Sequence, residues 1–137
     1  MHIQRLKSCG KEGGFTMDIK DMFRLIEAYQ NKLGYDYTYP NEKAQMEHLR
    51  QNLLALNQEI SELTDSFPWK PWRNIYSQIW DNKNALEEIV DIFFFLGAIM
   101  SIAGIDLRDL EGVFVEKLKE NHDRIERGYN NTSDERR

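Results

Sequence analysis

Two acidic couplets, Glu59-x-x-Glu62 and Glu88-x-x-Asp91, are the residues best placed to do chemistry. Residues three apart share one face of a helix, so each couplet offers two converging carboxylates. Four carboxylates on two neighbouring helices repel one another and resist losing their water unless a cation joins them. A magnesium site is the economical explanation, and carboxylate-bound magnesium commonly serves substrate phosphates.

A helical wheel sets Glu59 at the edge of a Leu56/Ile60/Leu63 stripe, with Glu62 roughly 60° further round. Glu88, Asp91, Phe95, Ala98 and Ile102 share one face of a later helix. Asp91 is therefore expected inside an apolar face rather than on the solvent side. A lone ExxE is ordinary solvated decoration, since Glu is a favoured helix residue. An Asp within IVDIFFFLGAIM is harder to dismiss, because burying it without a partner is costly. Glu87 is expected to face water, and Asp65 sits near its helix end. Glu116, Glu120 and Asp123 read as a solvated face shared with Lys117, Lys119 and Arg124.

Rival chemistries lack their residues. A di-iron bundle needs Glu-x-x-His, and no Glu in this chain is followed three residues later by His. His48 and His122 are expected at the surface. Ser61, Ser66 and Cys9 have no evident base, and no glycine-rich phosphate loop is present. The stretch SFPWKPWRN instead supplies an aromatic and basic elbow. Lys70 and Arg73 there, with Lys117 and Arg124 further on, suit a triphosphate partly neutralised by magnesium. Trp72 offers a face on which a base can stack; filling space between helices is the other reading of Trp69 and Trp72.

These residues need helices to hold them. Residues 1–16 show no periodicity and read as a loose leader. A first helix is expected from Met17 to about Leu33, ended by Gly34 and the stretch through Pro40. Asn41 is a plausible cap for a second helix reaching Ser66, whose Leu53, Leu56, Ile60, Leu63 and Phe67 alternate spacings of three and four. Two prolines break it at the elbow. A third helix is expected from near Asn82 to Ala103, stopped by Gly104, and a fourth from Asp106 to about Tyr129. Residues 130–137 read as a polar tail. No segment alternates convincingly with period two, so the fold class is all-α.

At 137 residues the chain is one domain with room for a core. Its single cysteine permits no internal disulfide, and no secretory leader opens it, so a cytoplasmic protein without a membrane span is expected. The net charge is −5 with basic residues scattered, which argues against a nucleic-acid face but not against a nucleotide.

The pattern resembles the all-α nucleoside triphosphate pyrophosphohydrolases, the superfamily of MazG-type enzymes and dimeric dUTPases. ELTDSFPWKPWR (residues 62–73) and EEIVDIFFF (residues 87–95) are similar to segments of the dimeric dUTPase family. Lys117, Asn121, Arg124, Gly128 and Tyr129 match its C-terminal KxxxNxxRxxxGY pattern. Phe94 stands where that family often has His, Gly34 falls near an expected Asn, and Ile125 replaces a usual Gln. These departures bear on the base rather than on metal and phosphate.

The resemblance implies a bundle of four to five helices over residues 17–129, completed by homodimerisation. The nearly all-round apolar helix from Ile89 to Ala103 independently asks for such cover. It implies magnesium held by Glu59, Glu62, Glu88 and Asp91, with Glu59 or Glu62 orienting the attacking water. Lys70, Arg73, Lys117 and Arg124 would hold phosphates. Trp72 with Gln30 or Asn31 would border the base, and Asn121 and Tyr129 would add substrate contacts. The implied reaction converts dUTP to dUMP and pyrophosphate. A broader MazG-like or dCTP-type pyrophosphatase is the alternative within the class, and a catalytically silent helical interaction module is the alternative outside it.

Overall fold

The computed structural model describes residues 17–128, and these form four helices with no strand among them. They are α1 (Ile19–Lys32), α2 (Glu42–Asp65), α3 (Asn82–Ala103) and α4 (Leu107–Glu126). Each start carries an acidic or amide cap. The side chains of Asp18, Asn41 and Asp81 accept from the backbone N–H of Asp21, Ala44 and Asn84 respectively, each at 2.9 Å. Asp106 and Asp109 form a reciprocal capping box at α4. Such caps contribute typically about 1 kcal/mol each. Asp18 shifts the start of α1 two residues past the expected Met17.

Gly104 ends α3 at φ 69°, and a Cβ added there would meet nothing within 4 Å. Its requirement is thus for the left-handed dihedral, not for space. The fourth helix stops at Glu126, followed by Gly128 at φ 79°. Tyr129, the leader at residues 1–16 and the tail at 130–137 lie outside the described residues.

The third helix is the centre of the fold, with α2 packed along one flank and α1 along another. Gly97 permits the α1 contact: a Cβ there would lie 2.7 Å from Ile26 Cγ2. Among the described residues the sealed apolar core is small, consisting of Ile26, Ala85, Ala98 and Ile102. Edge-to-face pairs Phe23–Phe93 (6.1 Å) and Tyr29–Phe94 (5.6 Å) extend it along the α1–α3 contact.

The fourth helix departs from α3 at 109° and shares little contact with the other three. A 3.1 Å ion pair between Lys20 and Glu111 ties it to α1. Val113, Phe114, Val115 and Leu118 are left exposed on α4, as are Leu86, Ile89, Val90 and Leu96 on α3. In the single chain, the apolar circumference of α3 is therefore only partly covered. Among the described residues no single helix is long and apolar enough to cross a membrane.

Candidate active site

The α2–α3 contact sets Glu59 against Glu88 and Asp91. One carboxylate oxygen from each lies within 4.8 Å of the others. Glu88 is buried, Glu59 half-buried and Asp91 exposed. Desolvation raises the pKa of the Glu59 carboxyl, and a hydrogen bond with Glu88 and the charges of Glu62, Asp91 and Glu88 add to the rise. Carboxylates crowded in this way share a proton or gather around a cation. Oxygen donors from two rigid helices suit a hard divalent ion.

Glu62 stands beside this trio rather than in it. It is exposed, and its Oε1 accepts from Gln58 Nε2 at 3.0 Å, yet its charge still reaches Glu59. Asp91 corrects the expectation of an embedded aspartate. It shares the inward stripe of α3, but the side chain opposite is Glu59, so acidic groups rather than apolar ones meet at that level and the position stays wet. Glu87 is exposed, as expected. Asp65 serves the elbow, accepting from Trp69 Nε1 at 2.8 Å.

The elbow is built from local contacts. Gln78 clasps it: its Oε1 accepts from Lys70 N at 3.0 Å, and its Nε2 donates to the carbonyls of Lys70 (3.0 Å) and Arg73 (3.3 Å). A 3₁₀ turn at Ile75–Ser77 completes the bend. Ser66 is buried and joins the end of α2 to the start of α3, accepting from Asn84 Nδ2 on Oγ (2.9 Å) and from Asp81 N on its carbonyl (2.8 Å). Trp69 and Trp72 meet edge to face at 5.6 Å, and Lys70 Nζ lies 5.3 Å from the Trp69 ring centroid. Trp72 is 71% exposed, which favours neither the space-filling reading nor a closed base pocket. Neither Lys70 nor Arg73 forms an ion pair with the acidic trio.

On α4, Lys117 Nζ and Arg124 Nη2 both pair with Glu120, and these pairs hold the Glu120 carboxyl below its ordinary pKa. Asn121 is exposed on the same helix. The structure thus gathers Glu59, Glu88 and Asp91, keeps Glu62 adjacent, and leaves the α4 residues on a helix that stands apart.

One cavity adjoins the trio. It encloses about 480 Å³ and is lined by residues including Gln30, Tyr35, Tyr37, His48, Asn52, Ala55, Phe94 and Phe95. Ala55 precedes Glu59 by about one turn of α2, and Phe94 and Phe95 follow Asp91 by about one turn of α3. The cavity therefore continues the same seam. Gln30 is buried in its wall, whereas Asn31 is exposed and neither it nor Trp72 lines the cavity.

His48 corrects its surface expectation. It is half-buried, stacked on Tyr35 (5.3 Å, 22°) and Tyr37 (6.4 Å, 14°), and hydrogen-bonded through Nδ1 to Tyr39 Oη at 2.7 Å. Tyr35, Tyr37, His48 and Asn52 were not legible as site residues. The cluster of three tyrosines in Tyr35-Asp36-Tyr37-Thr38-Tyr39 was the available signal, and all three rings meet His48. A larger hollow of about 740 Å³ lies between α1, the end of α3 and the start of α4, away from the trio.

No curated protein and no solved structure gives a significant match. The sequence profile described as dUTPase matches residues 18–101. That span takes in α1, α2, the elbow and nearly all of α3, and with them the trio, Glu62 and the cavity; α4 falls beyond it. With more than half of its length matched and an all-helical fold, the chain belongs to the dUTPase family.

Proposed function

We propose that the protein is a magnesium-dependent nucleotide pyrophosphohydrolase that converts dUTP and water to dUMP and pyrophosphate. The observation that carries this reading is the Glu59/Glu88/Asp91 trio at one end of a seam whose other end opens into an aromatic cavity. Phosphates would lie at the acidic end and the nucleoside along the seam.

In this reading Glu59, Glu88 and Asp91, supported by Glu62, would hold Mg²⁺. The ion would polarise the phosphates and lower the pKa of the attacking water. Water oxygen forms a bond to the α-phosphorus as the bond from that phosphorus to the bridging oxygen breaks, and pyrophosphate leaves. Glu59 would orient that water and accept its proton as the bond to phosphorus forms. Lys70 and Arg73 approach the leaving phosphates from the elbow. Lys117, Asn121 and Arg124 would add contacts from α4. The exposed apolar residues of α3 and α4 support a homodimer, in which α4 meets a second copy.

The test is a hydrolysis panel over the deoxynucleoside triphosphates with Mg²⁺, scoring pyrophosphate. Preferential dUTP cleavage is expected. Uniform rates across the bases would replace this assignment with a broader MazG-like activity, and preference for dCTP with a dCTP-type one. A catalytically silent interaction module would show no hydrolysis and no rise in melting temperature with Mg²⁺ and a nonhydrolysable dUTP analogue.

A further inference from the structure

We propose that Tyr37 is a positioning residue for base selection: it fixes the Gln30 side-chain amide so that the cavity offers the base an N–H donor. This inference rests on the nucleotide reading given above.

The local sequence builds a rigid holder. Asp36 accepts from Thr38 N at 3.0 Å and from Thr38 Oγ1 at 2.8 Å, bracketing the residue between them. Tyr37 adopts φ 55°, a left-handed conformation that a bulky residue keeps only when its surroundings impose it. Its ring stacks on His48, and Tyr39 holds the His48 ring through Nδ1. The Tyr37 hydroxyl donates to Gln30 Oε1.

Gln30 is committed at both ends of its amide. Oε1 receives the Tyr37 hydroxyl, while Nε2 donates to the Phe94 carbonyl at 3.4 Å. A carbonyl can only accept, so flipping the amide would set two acceptors against each other. The Phe94 contact is long, which leaves Tyr37 as the closer restraint. Burial raises the pKa of the Tyr37 phenol above its ordinary value, keeping the hydroxyl protonated as a donor. Gln30 Nε2 has two hydrogens, and only one is used by Phe94. The second makes Gln30 a donor in the cavity wall, complementary to the O4 carbonyl of uracil, where cytosine carries an amino donor.

Tyr37→Phe removes the hydroxyl and keeps the ring stack. Steady-state kinetics with dUTP should show KM raised about tenfold and kcat held within about twofold, the loss of one oriented hydrogen bond. The ratio of kcat/KM for dUTP over dCTP should move toward one. Competitive inhibition by inorganic triphosphate, which has no base, should be unchanged.

Gln30→Leu supplies the second arm. The double variant should be no worse than Gln30→Leu alone, because Tyr37 acts through Gln30. An unaltered base ratio in Tyr37→Phe, or a full additional loss in the double variant, would overturn the inference. Should the wild type hydrolyse no nucleotide, the functional reading fails by itself. Calorimetric titration with deoxyuridine then decides: binding weakened about tenfold by Tyr37→Phe upholds the positioning role, and absent or unaltered binding overturns it.

Discussion

The acidic and aromatic ends of the α2–α3 seam are built on opposite electrostatic principles. At one end Glu59, Glu88 and Asp91 crowd together, and desolvation, with the neighbouring carboxylates adding to it, raises the Glu59 pKa. At the other, Tyr37, Gln30, Tyr39 and His48 satisfy one another through hydrogen bonds and ring stacking. A frustrated cluster gains stability when a cation arrives, whereas a satisfied network holds a shape before anything binds. The first arrangement suits a metal and phosphates, and the second suits selection among bases.

The largest expected effect falls at the acidic end. Glu88→Gln removes a buried charge while keeping its shape, and dUTP hydrolysis should fall by about a hundredfold or more. Circular dichroism should show unaltered helix content. Activity within a fewfold of wild type would place the metal elsewhere and dissolve the contrast between the two ends.

Gly97→Ala addresses both ends through their shared scaffold. Its new methyl would press on Ile26, forcing α1 away from α3 at a cost of about 1–3 kcal/mol. Thermal unfolding should show a clear drop in melting temperature. An unchanged value would mean that α1 closes on α3 less tightly than this contact requires.

The pH dependence of stability should separate the ends further. The raised Glu59 pKa means that the folded protein holds a proton which the unfolded chain has already released. That contribution is fully present below the ordinary carboxylate pKa and is lost as pH rises through the elevated one. Metal-free protein should thus lose part of its stability over this interval, and Glu59→Gln should remove that part of the slope. Millimolar Mg²⁺ should raise wild-type stability at neutral pH and leave that of Glu59→Gln unchanged. Melting curves at several pH values, with and without Mg²⁺, check both statements.

The smallest effect is expected at Glu120, whose pairs with Lys117 and Arg124 lie on the exposed face of α4. Glu120→Gln should leave the melting temperature almost unchanged, as solvent screens exposed pairs. A large loss would show that α4 is held by more than the contacts of the single chain.

The sequence made the acidic end readable because its information is local. Glu88 and Asp91 lie one turn apart on one helix, and Glu59 sits on the stripe that packs against them. The caps at Asn41 and Asp106 and the stop at Gly104 were equally local, so three helix boundaries were legible. The aromatic end depends on contacts between distant residues: Gln30 and Phe94 are 64 positions apart. No periodicity in either helix marks that pair. The exposure of Asp91 was missed for a related reason, since a wheel gives direction but not the identity of the opposing side chain. The stand-off of α4 likewise depends on the 109° turn after α3, which Gly104 permits but does not dictate.

The most direct measurement is Mn²⁺ binding by electron paramagnetic resonance, run beside pyrophosphate release from dUTP, for wild type and Glu88→Gln. Wild type should bind the ion and release pyrophosphate, and the variant should lose both together while remaining folded. Loss of ion binding with hydrolysis intact would contradict the assignment of the trio as the metal centre on which the reaction depends.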